Sequence, residues 1–97
     1  IILTGVMADK DYRTMARTVS KIAAQVVCTQ PDNPRALNAD ALAECYRSTG
    51  TAAHAESDVE SAVKKAFALA KEKGLPLLCL GSLYMYRQVR DALDMCE

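Results

Sequence analysis

The chain has no surplus of either charge: twelve lysines and arginines balance twelve aspartates and glutamates over 97 residues. That excludes the broad basic face that nucleic acid or an anionic membrane would require, so any anion site has to be local. No apolar run approaches the length of a bilayer, and the opening Ile1-Ile2-Leu3 is too short for a signal-peptide core. The cysteines Cys28, Cys45, Cys79 and Cys96 never form Cys-x-x-Cys, and with His54 as the single histidine they supply no clustered zinc ligands. Three of these thiols fall in apolar strand or helix patterns and read as reduced core residues, which suits a cytoplasmic protein. His54 has no nucleophile or carboxylate pair at a telling spacing and reads as a solvated or edge-strand side chain. Gly-x-x-x-x-Gly-Lys-Ser/Thr, Gly-x-Gly-x-x-Gly and metal-binding helix motifs are all missing, so the chain is not expected to activate ATP by itself.

What is present is a regular alternation of short apolar runs and amphipathic stretches. Ile1 to Val6 predicts a strand, followed by a helix whose stripe of Tyr12, Met15, Val19 and Ile22 extends to about Ala24. A second strand runs from about Gln25 to Thr29. Asn38 then caps a helix with Ala41, Leu42, Cys45 and Tyr46 inward, and Gly50 ends that unit. Thr51 to Ala55, poor in large apolar residues, suits an edge strand. Ser57-Asp58-Val59-Glu60 fits a capping box that opens a helix reaching Gly74, with Pro76 barring its extension. Leu77 to Leu80 predicts a fourth strand, and Leu83, Tyr86, Val89 and Leu93 mark a last helix.

The order βαβαβαβα favours a mainly parallel sheet of about four strands, joined by right-handed crossovers and flanked by helices. A single domain of this size buries roughly 60 to 65 per cent of its unfolded surface and is marginal in stability. The chain also opens without a methionine, directly inside an apolar strand, as a piece excised from something longer would.

Thr29-Gln30-Pro31-Asp32-Asn33-Pro34-Arg35-Ala36-Leu37 carries the strongest functional signal. Its two prolines fix their own φ and steer Gln30 and Asn33 away from helix, so a loop at a strand's carboxyl end delivers Arg35 close to one pose. A Pro-rich connector with a solvated arginine is the bland alternative. Ligands of open parallel sheets bind at the strands' carboxyl ends, where Lys10 would stand at a helix entrance and Gly81-Ser82 would start another helix with free N–H groups at Ser82 and Leu83. Asp9 and Asp11 could equally cap the first helix and hold Lys10 in a surface pair, and Ser82 could be an ordinary cap. Two separated cations, Lys10 and Arg35, suit a small dianion such as glutamate.

Three segments together, Gly5-Val6-Met7-Ala8-Asp9-Lys10-Asp11-Tyr12, Thr29 to Leu37 as above, and Gly81-Ser82-Leu83-Tyr84, resemble the carboxyl-terminal domain of folylpolyglutamate synthases, enzymes often bifunctional with dihydrofolate synthase. The resemblance covers the chain end to end. It implies a Rossmann-like α/β domain of the Mur ligase kind over residues 1–97, without its first strand and all upstream domains, which leaves an edge or a gap beside Ile1 to Val6. It also implies an activity for the full-length protein: ATP and Mg2+, held mostly by absent domains, activate a folate carboxylate to an acyl phosphate, and the amino group of L-glutamate attacks it. By the same resemblance Lys10 and Ser82 would face glutamate or the tetrahedral centre, with Leu83 beside them. Asn33 and Arg35 would read the substrate carboxylate, and Asp9 would lie toward the cofactor. The partner would be the protein's own N-terminal ATPase domain, the whole a monomer, and the fragment alone inactive. A cell-wall Mur ligase is favoured by Asp-Asn-Pro-Arg and disfavoured by Met-Ala-Asp-Lys-Asp and Gly-Ser-Leu-Tyr. A non-catalytic α/β binding module, with the polar loops as caps and turns, is the alternative of another class.

Overall fold

Four short strands, β1 (Ile2–Gly5), β2 (Gln25–Cys28), β3 (Ala52–Ala55) and β4 (Leu78–Gly81), alternate with four helices, α1 (Tyr12–Val19), α2 (Ala39–Arg47), α3 (Val59–Lys73) and α4 (Tyr86–Cys96). The structure, a computed structural model, describes residues 1–9, 11–81 and 86–96, with the side chains of Tyr86 and Cys96 outside that description. The strands form one sheet in the order β3-β2-β1-β4, and every pairing is parallel. Successive strand residues point to opposite faces, and two cores result. Leu3 and Val27 meet Val63 and Ala66 of α3 and Val89 of α4 on one face. Ile2, Val26 and Cys28 meet Ala16 of α1 and Leu42 and Tyr46 of α2 on the other. The architecture is therefore three layers, α/β/α, as the alternation predicts.

The sheet order overturns one expectation. β1 is interior, paired with β2 on one side and β4 on the other, so no edge or gap lies beside Ile1 to Val6. The open edges belong to β3, as the weak apolar content of Thr51 to Ala55 suggests, and to β4. On β4, Leu78 is 48 % exposed and Cys79 is also exposed, so Cys79 is not the core thiol that its apolar neighbours imply. Cys28 is buried and Cys45 half-buried.

Helix details differ where local hydrogen bonding outweighs periodicity. α1 stops at Val19 because Lys21 and Ile22 donate to carbonyls three residues back, at Thr18 and Val19. This tighter winding rotates Ile22 off the stripe and leaves it 73 % exposed. In α2 Asn38 caps as expected, its side-chain oxygen accepting from the N–H groups of Asp40 (2.8 Å) and Ala41 (3.3 Å). Its buried face, however, is Ala39, Leu42, Ala43 and Tyr46; Ala41 is exposed. The capping box shifts by one residue: Asp58, not Ser57, caps α3, accepting from the N–H of Ser61 at 3.0 Å and from its hydroxyl at 2.9 Å. These two bonds, the backbone one first, hold the Asp58 carboxyl below its ordinary range. α3 ends at Gly74, whose φ of 65° closes the helix in the left-handed region.

The core holds two hydroxyls, on Thr4 and Tyr46, that are buried without a hydrogen-bond partner among the described residues. Burial pushes the Tyr46 phenol up to about 12 and the Cys28 thiol up to about 12, so neither ionises near neutral pH. Tyr46→Phe is accordingly expected to raise stability slightly, by up to about 1 kcal/mol, because it removes a desolvated hydroxyl whose approach to the Thr4 hydroxyl falls short of a well-formed hydrogen bond. A urea unfolding midpoint that falls instead of rising would show that the phenol has a partner.

Candidate functional site

Because all four strands run the same way, their carboxyl ends share one rim, and there the loops after β1 and β2 are laced together. Met7 pairs antiparallel with Ala36. The Ala8 N–H donates to the Arg35 carbonyl at 2.8 Å, and the Leu37 N–H donates to the Val6 carbonyl, also at 2.8 Å. The proline loop is braced from within as well. The Asn33 N–H donates to the Pro31 carbonyl at 2.8 Å, the Ala36 N–H donates to the Asn33 carbonyl at 3.0 Å, and the Asn33 side-chain oxygen accepts the Arg35 N–H at 2.9 Å. Pro31 is fully buried and anchors the loop to the body of the domain. The backbone of Arg35 is thus fixed on both flanks, which two prolines alone would not achieve.

The side chain of Arg35 remains free to work. It is 67 % exposed, and its Nη1 lies 4.0 Å from Oδ2 of Asp9, itself 62 % exposed. Asn33 spends its oxygen on the turn, and its amide nitrogen donates none of the hydrogen bonds among the described residues. Of the two carboxylates flanking Lys10, only Asp11 caps α1, where Thr14, through its side chain and its backbone N–H, holds the carboxyl below its ordinary range. Lys10, Ser82 and Leu83 lie outside the described residues. The structure therefore brings Asp9, Asn33 and Arg35 onto one rim.

A polar hollow of about 350 Å3 on the same rim escaped the sequence analysis. Gln30, Asp32, Ser57, Asp58 and, from α4, Gln88 line it. Thr29, fully buried, ties its two sides: its N–H donates to the Thr4 carbonyl at 2.8 Å and its hydroxyl to the Ser57 carbonyl at 3.4 Å. Only the loops' positions at strand ends could have signalled it, since Gln88 comes from a distant helix. A larger groove of about 550 Å3 runs between α1 and α2, lined by Tyr12, Arg13, Arg17, Glu44 and Cys45. It sits between helices and not at the strands' ends, so we give the rim precedence.

His54 is an edge-strand residue, its Nε2 2.8 Å from the side-chain oxygen of Gln25 on the neighbouring strand. Burial lowers its pKa, with Lys65 and Arg47 adding to the effect. Among the described residues no three His, Cys, Asp or Glu side chains gather as a metal centre, and no helix is long and apolar enough to cross a membrane.

One parallel sheet between two layers of helices makes this an α/β domain, with the arginine-bearing loop braced at the strands' carboxyl rim. The chain belongs to the Mur ligase, glutamate ligase domain family, which matches residues 1–83. Two solved structures are similar to it in fold. Mycobacterium tuberculosis folylpolyglutamate synthase complexed with ADP aligns with a TM-score of 0.79 at 20% identity, over 95% of this chain and 22% of that one. The same Mycobacterium tuberculosis enzyme complexed with ADP and AMPPCP aligns with a TM-score of 0.78, at the same identity and coverage. The chain thus spans about a fifth of the length of these relatives. No curated protein matches it.

Proposed function

We propose that this domain positions the incoming amino acid in an ATP-dependent amide ligase that adds L-glutamate to folate, a folylpolyglutamate synthase that also serves as dihydrofolate synthase in its bifunctional forms. The observation that carries this reading is Arg35, an exposed guanidinium on a backbone hydrogen-bonded on both sides, at the rim where parallel sheets bind ligands. A guanidinium so placed can take a carboxylate in a bidentate pair. Asn33 would add its free amide N–H groups to the same carboxylate. Lys10 would meet the negative charge that develops as the amine attacks, with the Ser82 hydroxyl and the Leu83 N–H as further donors.

ATP and Mg2+, bound by the protein's own N-terminal ATPase domain, would supply an activated carboxylate. The work of this domain is to hold the nucleophilic amine against it, which converts an encounter of two molecules into a reaction within one complex. The family match and the folylpolyglutamate synthase fold support the reading. The intact protein would be a cytoplasmic monomer, and the fragment alone inactive.

The test is amide formation by the intact protein with ATP, a folate and labelled amino acids. Incorporation of glutamate is the expected result. Incorporation of a diamino acid into a cell-wall precursor would identify a cell-wall Mur ligase instead, and incorporation of neither would leave a non-catalytic binding module.

A further inference from the structure

Asp9 and Arg35 face each other as a loose, open pair. A closed carboxylate–guanidinium bridge brings nitrogen and oxygen to about 2.7 to 2.9 Å, whereas Nη1 and Oδ2 stand 4.0 Å apart, each side chain about two-thirds exposed. Neither group is consumed by the other, and an exposed pair of this kind is worth at most about 1 kcal/mol, so a guest opens it at little cost. Their backbones, by contrast, are held in register by the Met7–Ala36 bridge and its two flanking hydrogen bonds. The result is a pair of opposite charges carried on a braced backbone, a short step apart and open to solvent.

A free α-amino acid carries the complementary pair, a carboxylate and an ammonium on one carbon. We infer that Asp9 receives the α-ammonium of the incoming amino acid while Arg35 receives its α-carboxylate, so that the two residues select a zwitterion and not merely an anion; the bound ammonium releases one proton to solvent before the amine attacks. The inference rests on the proposal that this rim takes the amino acid, and it changes what Asp9 does. A carboxylate repels the phosphates of a nucleotide but attracts an ammonium, and Asp11, the neighbouring acid, is already engaged in capping α1. It also orients the substrate: with the α-carboxylate and α-nitrogen fixed, the γ-carboxylate of glutamate points away from the pair, toward other donors.

The test compares L-glutamate with glutarate, which is glutamate without its amino group, in the intact protein and its Asp9→Asn variant. The KM for glutamate and the inhibition constant of glutarate against glutamate are measured in both. Loss of a hydrogen bond to a charged group raises the glutamate KM about tenfold to a hundredfold. Glutarate, which has no ammonium to lose, binds the variant as well or more tightly, because a repelling charge beside Arg35 is gone. Selectivity for glutamate over glutarate therefore falls at least about tenfold, and Asp9→Glu restores part of it. Equal changes for both compounds, or a glutamate KM that stays level or falls, would overturn the inference. If glutarate binds the unaltered protein too weakly to measure, the glutamate KM alone decides by the same rule. An Arg35→Ala variant separates this failure from that of the site itself: if Arg35→Ala raises the glutamate KM and Asp9→Asn does not, only the role of Asp9 is wrong.

Discussion

Arg35→Ala in the intact protein is expected to weaken glutamate use by about 1.5 to 3 kcal/mol, the usual worth of a hydrogen bond to a charged group, or roughly tenfold to a hundredfold in kcat/KM. The loss should fall on KM and on kcat together, since the α-carboxylate sits on the carbon that bears the attacking nitrogen and its hold also fixes that nitrogen's approach. Stability should hardly change. The side chain is 67 % exposed, its ion pair among the described residues is long, and the loop is braced by backbone bonds and by Asn33, none of which involves the guanidinium. Arg35→Lys keeps the charge but loses the planar fork, and should recover only part of the binding. Steady-state kinetics at varied glutamate decide the matter; an unchanged KM would remove Arg35 from the site.

Gly81→Ala is expected to be the most damaging alanine substitution among Gly50, Gly74 and Gly81, at about 3 to 5 kcal/mol. Gly81 ends β4 opposite Gly5 of β1, with φ of 124°, a conformation that L side chains rarely adopt. A Cβ placed there would overlap the carbonyl oxygen of Gly5, which is backbone inside the sheet and cannot swing aside. Gly74→Ala is the matched control: its φ is also positive, but open space surrounds the position, so only about 1 kcal/mol is lost. Urea unfolding of the two variants side by side separates a clash from a backbone preference. Similar losses in both would show that the β1–β4 approach is looser than the structure has it. The consequence reaches function, because β4 leads into the Gly-Ser-Leu-Tyr segment proposed to face glutamate.

The alternation of strands and helices was legible because it rests on periodicity, a property of neighbours in sequence. Asn38 and Gly74 were legible for the same reason: a cap acts on the turn it touches. The sheet order was not, since nothing in Ile1 to Val6 says that β4, the last strand, will pair beside β1 and make it interior. Ile22 misled because two hydrogen bonds to carbonyls three residues back outweigh an apolar stripe. At the candidate site, proline geometry foretold a loop, and not a helix, where Arg35 stands. Its bracing by residues 6–8, its approach to Asp9, and the hollow shared with Gln88 are encounters between distant segments, visible only once the sheet has set its register.

The account turns on where the amino acid binds, and a structure of the intact protein with nucleotide and L-glutamate measures that most directly. The predicted result is a glutamate carboxylate within hydrogen-bond distance of the Arg35 guanidinium, at the rim between the loops after β1 and β2. Glutamate bound elsewhere, with Arg35 and Asp9 still facing only each other, would contradict it.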